Sequence, residues 1–192
     1  MDPFKNLTRN DIEKVLTAEQ LRITQIILFA MLMGSILLLV PVNILNATKP
    51  APLIAGQISD FGQMFMYGVF IYAIFAYTFI YFFPMLFLSP KALAKRVKAA
   101  GVFQDNEQAA FFLVTMDRQF RIIKNAIFEG VSLLALVGIF LELSSTQQQL
   151  PSDIWLLAIP VVIHTIYLIL NFPSKEKIIN DIENNILSRL RA

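Results

Sequence analysis

The sequence predicts an all-α, polytopic membrane protein with four transmembrane helices in an antiparallel bundle, and three observations support this. Of the 192 residues, 56% are hydrophobic and 16% are charged, whereas a soluble domain carries about 25% charged residues. The apolar residues are gathered into four long blocks, and nearly all basic residues flank the same ends of those blocks. The net charge of +2 argues against a nucleic-acid-binding module, and the lack of Cys excludes disulfides, thiolate metal sites and Cys nucleophiles.

Each apolar block is long enough to cross a bilayer, which takes roughly 20 mostly apolar residues. The predicted spans are residues 23–45, 61–88, 122–143 and 154–172. The first two carry no charge. The third contains Lys124, Glu129 and Glu142, and the fourth contains His164. Because these spans take up about half of the chain, we expect no remaining piece to be large enough for a core of its own. We also expect Glu142, at the outer end of its helix, to be solvated.

The segments between the spans carry helix-capping signals. Thr17 with Gln20 predicts that the first long helix begins near Ala18, and Asn10 is expected to cap a short helix over residues 11–16. Ser89-Pro90 opens a predicted helix over residues 90–100 that ends at Gly101. On that helix a basic face is formed by Lys91, Lys95 and Lys98. This face suits an anionic leaflet surface, but we favour a connector whose charges only fix the topology.

The third span belongs to a longer helix that begins near residue 107 and extends into the cytoplasm. We expect the apolar residues Phe111, Phe112 and Val114 on this extension to pack against the basic helix. After Ser174, residues 175–191 predict an amphipathic helix with Ile178 and Ile182 on one face. The pattern leaves three roles open for this helix: membrane docking, packing on the protein's own helices, or contact within an oligomer.

The distribution of basic residues predicts the topology. Of the 16 Lys and Arg residues, Lys49 lies between the first and second spans, and all the others lie at the opposite membrane face. By the positive-inside rule both termini are cytoplasmic, and a bacterial plasma (inner) membrane is the expected location. The first span should stay as an anchor, because no small-residue cleavage site follows it. The outer loops, residues 46–60 and 144–153, are short and contain no metal-ligand constellation.

Two ionisable residues at membrane depth are functional candidates by default. Glu129 lies seven residues after Ile122, roughly 10 Å along the helix at 1.5 Å per residue. His164 lies eight residues before Phe172, roughly 12 Å by the same rise. The two helices should be antiparallel neighbours, so the side chains are expected at matching depth, with Tyr81 at about the same level.

This predicted cluster has alternative roles. Asn125 and Ser132 share the face of Glu129 and could hydrogen-bond it, in which case the cluster fixes the helix register. The alternatives are proton or cation handling by Glu129 and His164, and ligand binding. We favour the structural role.

The second span is rich in aromatic residues throughout its depth, including Phe75, Tyr77 and Phe79. Such a surface is typical of lipid contact and packing between helices. The alternative is a pocket for a flat or long-chain apolar ligand such as a quinone.

Two resemblances bear on function. The stretch AIFEGVSLLALVGIFLEL, residues 126–143, resembles the carboxylate-bearing helix of rotary ATPase proteolipid subunits, and this implies an ion-binding role for Glu129. The Gly- and Ala-rich partner helix of those subunits has no counterpart in this sequence. The whole-chain layout, with FPSKEKI at residues 172–178, resembles small bacterial four-span membrane proteins, and this resemblance implies no activity.

Three functions follow as hypotheses. The first is a non-catalytic membrane protein, an oligomeric or accessory subunit whose partners are the lipid bilayer and copies of itself or other membrane subunits. The second is a proton- or cation-transporting subunit that uses Glu129 with His164. The third, a membrane enzyme, is disfavoured because the sequence has one His and neither an HExxH nor a GxSxG motif. We expect no cofactor and no metal.

Overall fold

The computed structural model describes residues 4–51 and 58–191. Every regular element in these ranges is helical, which confirms the all-α class. The α-helices are α1 (Arg9–Val15), α2 (Ala18–Ala47), α3 (Asp60–Phe87), α4 (Pro90–Ala100), α5 (Asn106–Ser145), α6 (Ile159–Asn171), α7 (Lys175–Asp181) and α8 (Ser188–Arg191). Helices α2, α3, α5 and the segment Ser152–Asn171, which contains α6, are long and apolar enough to cross a membrane. The chain is therefore an integral membrane protein.

Most helix ends lie where the capping signals predict them. The Thr17 hydroxyl accepts a hydrogen bond from the Gln20 N–H at the start of α2. The Ser89 hydroxyl does the same for Ala92 in α4, which ends at Gly101 with φ +87°. Such a left-handed φ favours glycine.

The start of α1 differs from the prediction. Thr8, and not Asn10, caps this helix, in a reciprocal capping box with Asp11. Hydrogen bonds from the Thr8 hydroxyl and then the Thr8 amide hold the pKa of the Asp11 carboxyl below its ordinary value.

Two predicted helices are irregular. The fourth span starts with a 3₁₀ helix, Ser152–Ala158, and becomes α-helical only from Ile159. Pro160 follows at once, in the first turn of α6. The C-terminal segment is α7 and α8 joined by a π-helical stretch, Ile182–Leu187, and not one continuous α-helix.

The described residues form two compact units. The head unit comprises residues 4–27, 80–124 and 172–191, and the span unit comprises residues 28–51, 58–79 and 125–171. The first turns of α5, up to Lys124, belong to the head unit.

The head unit has a hydrophobic core of its own, so the expectation that no such core exists was wrong. Its buried residues come from all three head segments and include Ile12, Leu93, Leu113 and Ile179. No single segment is long enough for a core, but the three together are. Val114 and partly buried Phe112 join this core, whereas Phe111 remains exposed.

The C-terminal helices pack on the protein's own head unit, which decides among the three roles left open above. Ile178, Ile182 and Ile186 are buried in the head core. Helix α7 contacts α1, and α8 contacts α4. The Arg191 guanidinium donates to the Phe4 carbonyl at 3.0 Å, and Arg189 donates to the Leu88 carbonyl at 3.1 Å.

A buried ion cluster also ties this segment to α5. The Arg121 guanidinium bonds the Asp117 carboxylate at 2.7 Å and the carboxylate of Asp181 in α7. Asp117 and Arg121 are both buried.

In the span unit, α5 is the most buried of the four long helices. Its Ala135 and Ile139 pack with Val69 of α3 and with Leu157. The Lys49 ammonium donates to the Leu143 and Thr146 carbonyls, so Lys49 caps the C-terminal end of α5. Residues 52–57 of the first predicted outer loop lie outside the described residues.

Glu142 is buried, not solvated as expected, with 3% of its surface exposed. Its carboxylate accepts the Ser59 N–H at 2.8 Å and the Ser59 hydroxyl at 2.6 Å. That hydroxyl in turn accepts the Gly62 N–H at 2.9 Å. Glu142 therefore supports the N-terminal cap of α3, where negative charge is favourable.

Candidate functional site

Polar side chains of the span unit converge around residues 128–129 of α5. The Ser132 hydroxyl, one turn on, donates to the carbonyls of Phe128 at 3.0 Å and Pro160 at 3.2 Å, which fixes α5 against α6. One turn after Pro160, the His164 ring stacks on Phe128 with a centroid distance of 5.8 Å and an interplanar angle of 6°. His164 therefore lies at the level of Glu129, as the residue counts along the two spans predict.

The Glu129 carboxylate faces α2. A Cβ added at Gly34 would lie 3.3 Å from Glu129 Oε1, so the carboxylate lies beside this glycine. Glu129 is partly exposed on the surface of the span unit. Its carboxylate accepts no hydrogen bond from the residues that the structure describes, and Ser132 is engaged with carbonyls instead. Glu129 and His164 share a level without forming a hydrogen-bonded pair.

Three further polar groups at this level are buried. These are the Ser35 hydroxyl on α2, the Tyr77 hydroxyl on α3 and both ring nitrogens of His164 on α6. Within the described ranges none of them has a hydrogen-bond partner. The centroid of the Tyr77 ring lies 5.4 Å from that of Phe128. Ser35 is the next residue after Gly34, which lies beside the Glu129 carboxylate. Buried polar atoms without partners are costly and call for a functional or solvent explanation.

The tyrosine that lies at the level of the predicted cluster differs from the one predicted. Tyr81 is 71% exposed and belongs to the head unit, where its ring packs edge-on against Phe82 at 5.1 Å. Tyr77, one turn earlier, is the tyrosine at the level of Phe128. Asn125 is buried one turn before Glu129. Ser35 was missed, although a hydroxyl next to the single glycine of the first span was a usable signal.

The aromatic residues singled out on α3 do not share one surface. Phe75 is 70% exposed and Phe79 is also exposed, whereas Tyr77 turns inward onto Phe128. The exposed rings fit the lipid-contact interpretation better than a ligand pocket that all three would line.

An apolar groove of about 220 Å³ runs between α2 and α5 further along the same pair of helices. It is lined by Leu38, Pro41, Val42, Leu136, Val137 and Phe140. The groove and Glu129 therefore lie along one face of the span unit.

The head unit contains a larger groove, of about 680 Å³, whose lining includes Thr17, Phe103, Asp105 and Phe111. Its two capping side chains are already engaged, since Thr17 accepts from Gln20 and Asp105 accepts from Gln108. Lys14 and Glu107 also line this groove, so its surface is of mixed polarity.

The basic face of α4 is exposed. Lys91, Lys95 and Lys98 lie on the surface, and Leu93 on the opposite face is fully buried. The Arg96 guanidinium lies 3.4 Å from the centroid of the Phe87 ring, a cation–π contact that holds α4 to the end of α3.

No group of three or more His, Cys, Asp or Glu side chains that could hold a metal ion occurs in the described part of the chain. No family model, curated protein or solved structure matches the sequence or the fold.

Proposed function

We propose that this protein is a non-catalytic subunit of a membrane assembly. The observation that carries the proposal is the Glu129 carboxylate, which lies within a membrane-length helix, is partly exposed, and accepts no hydrogen bond from the described residues. A carboxyl group at membrane depth is costly when it faces lipid. A hydrogen-bond donor from another protein chain removes that cost.

The proposal includes a location and an orientation. We propose a bacterial plasma (inner) membrane as the location, and the asymmetry of the basic residues supports an orientation with both termini in the cytoplasm. Under this arrangement the head unit is cytoplasmic and Lys49 is extracytoplasmic. Lys49 is the one basic residue at the other face, and its ammonium is held by hydrogen bonds to the carbonyls at the end of α5.

The test is the stoichiometry of the protein in native membranes. Membrane patches extracted without detergent and weighed by mass photometry should contain more than one polypeptide per particle. Glu129→Leu should lower the assembled fraction, and Glu142→Gln, at the other carboxylate of the same helix, should not. Particles that hold one chain at every protein density would refute the proposal.

A second candidate function is proton or cation transfer through the span unit. The specific observation in its favour is the set of buried polar groups without partners at one level: Ser35, Tyr77 and His164 beside Glu129. Such groups can exchange protons through water molecules bound between them.

Liposomes that contain the purified protein test this candidate. Dissipation of an imposed pH or cation gradient should be abolished by Glu129→Gln and reduced by Tyr77→Phe. Tyr81→Phe, one turn away on α3 and 71% exposed, is the matched control and should leave the flux unchanged. An absence of flux in the native protein would eliminate this function.

A further inference from the structure

Helix α4 of the head unit carries positive charge that its own sequence does not balance. Its residues 90–100 include three lysines and Arg96 but no acidic residue. By contrast, α1 and α7 each contain two basic and two acidic residues. In α8 both basic side chains, Arg189 and Arg191, donate to backbone carbonyls. The charge of α4 has neither form of compensation on its own helix.

The basic face of α4 also lacks an acidic partner elsewhere in the part of the chain that the structure describes. Lys91, Lys95 and Lys98 are exposed. The ion pairs among the described residues are formed by Arg9 and Arg121, and none of them includes a lysine of α4. This face is therefore available to an anion from outside the chain.

Contacts within the head unit hold α4 at the end of α3. The Arg96 guanidinium lies 3.4 Å from the centroid of the Phe87 ring. Helix α8 contacts α4, and its Arg189 donates to the Leu88 carbonyl at 3.1 Å. Pro90 follows Phe87 by three residues, which is at most about 11 Å of chain at 3.8 Å per residue. The lysines are therefore tied closely to the end of a membrane-length helix.

The last turns of α3 indicate what lies beside this face. Phe82, Met85 and Leu86 are large apolar side chains that remain exposed, Leu86 to 60%. On a helix long enough to cross a membrane, such side chains suit the hydrocarbon of the bilayer. The polar headgroup layer next to the hydrocarbon is roughly 5–7 Å thick on each side. Because α4 begins four residues after Leu86, this layer is the nearest source of negative charge.

We infer that the basic face of α4 binds the headgroups of anionic phospholipids at the end of α3. The lysine ammonium groups donate to phosphate oxygens, and the net negative charge of the headgroups balances the charge of the helix. The residues Ala94 and Ala99 on the exposed side are small. The face therefore lies on the headgroups and does not insert among the acyl chains. This lipid contact is independent of the partner chain in the proposed function.

Lipid retention tests the inference. The full-length protein is released in a mass spectrometer from nanodiscs that contain equal amounts of phosphatidylglycerol and phosphatidylcholine, and it should retain mainly phosphatidylglycerol. Lys91→Gln combined with Lys95→Gln should lower the ratio of retained phosphatidylglycerol to phosphatidylcholine by about fivefold per lysine, the usual contribution of one lysine at an anionic surface. Arginine at the same two positions should keep the ratio.

Lys5→Gln combined with Lys14→Gln is the matched control, because it removes the same charge from two other exposed positions of the head unit. This variant should retain the two lipids in nearly the native ratio. Equal retention of both lipids by the native protein would overturn the inference. An equal loss in the two double variants would also overturn it, since the lysines of α4 would then act only through the net charge.

A spin label at residue 94 tests the position of the face. The chain has no native Cys, so Ala94→Cys can be labelled alone. In phosphatidylglycerol vesicles, the accessibility of the label to oxygen and to a water-soluble nickel complex should place it at the level of the lipid phosphates. A label in bulk water would overturn the inference. A label that is immobilised in native membranes but mobile in these vesicles would do the same, because an acidic protein partner would then cover the face.

Discussion

At the residue scale, glycine positions in the span unit show where a backbone approaches a side chain closely. A Cβ added at Gly62 would overlap the Glu142 carboxylate and lie 2.7 Å from Ile58 Cγ2, whereas one added at Gly68, on the same helix, would have nothing within 4 Å. The missing side chain at Gly62 therefore makes room for the buried carboxylate that supports the cap of α3.

This contrast gives a paired prediction. Gly62→Ala should destabilise the protein by about 1–3 kcal/mol, the usual cost of overpacking, because the displaced carboxylate loses its bonds to Ser59. Gly68→Ala should be neutral or stabilise α3 by up to about 1 kcal/mol. Thermal unfolding in detergent, followed by the fluorescence of the single Trp155, measures both. Equal melting temperatures for the two variants would contradict the packing described for Gly62.

The sequence predicted the depth of the candidate site residues along the spans, but not the direction in which their side chains point. Counting residues along two antiparallel spans placed His164 at the level of Glu129, and the structure agrees. Counting could not tell which tyrosine of α3 turns inward, since Tyr77 and Tyr81 differ by one turn and lie near one face of a helix. The burial of Glu142 was not predicted either, because its partner Ser59 is distant in the sequence and meets it only through tertiary packing.

At the element scale, one arginine forms a buried ionic link between α5 and the C-terminal helices, beside their apolar contacts. Arg121 is buried and bonds two carboxylates, one in α5 and one in α7. Arg9 also bonds several acidic side chains, Glu13, Glu176 and Glu183, but it is considerably exposed. The same residue type therefore occupies a buried and a surface network in one unit.

Substitution of each arginine by methionine should separate the two networks. Arg121→Met leaves Asp117 buried without its counter-charge and should cost about 3–5 kcal/mol, as for other broken buried ion pairs. Arg9→Met should cost no more than about 1 kcal/mol, because exposed ion pairs contribute little. Chemical denaturation monitored by limited proteolysis of the C-terminal segment compares them. Similar protease resistance in both variants would argue against a structural role for the buried cluster.

Helix boundaries were predicted well where capping residues and apolar runs agree, as at Ala18, Pro90 and Ser174. They failed where the backbone departs from a regular α-helix. The apolar pattern does not reveal the 3₁₀ turn before α6 or the π-helical stretch after α7, because neither changes the spacing of apolar residues enough. Ile154 and Ile186 are buried on these two stretches.

At the scale of the whole molecule, the head unit is a folded body made of three segments that are far apart in the sequence. Each segment alone is too short for a hydrophobic core, so the sequence predicted no core outside the spans. Instead, the amphipathic faces of the head-unit helices bury one another. These faces lie on α1, α4, the start of α5 and the C-terminal helices. The C-terminal segment is therefore part of the fold and not a free tail.

Truncation of one buried isoleucine tests this assembly. Ile182→Ala removes a fully buried side chain from the head core and should cost about 2–5 kcal/mol. Val102→Ala, at a side chain that is 92% exposed, should have almost no effect. Hydrogen exchange of the head-unit amides should rise in the first variant alone. Unchanged protection in Ile182→Ala would mean that the C-terminal helices do not stabilise the unit.

The proposed orientation of the molecule rests on the asymmetry of its basic residues, and it can be tested without disturbing the fold. Single cysteines at Gln148, in the loop after α5, and at Lys95, on the exposed face of α4, would both lie on the surface of the protein. If both termini are cytoplasmic, a membrane-impermeant maleimide added to intact cells should label Gln148→Cys, and it should label Lys95→Cys only after the cells are opened. The basic residues predict this result because all of them except Lys49, whose ammonium is capped by carbonyls, flank the other ends of the spans. Labelling of residue 95 in intact cells would reverse the topology and place the head unit outside.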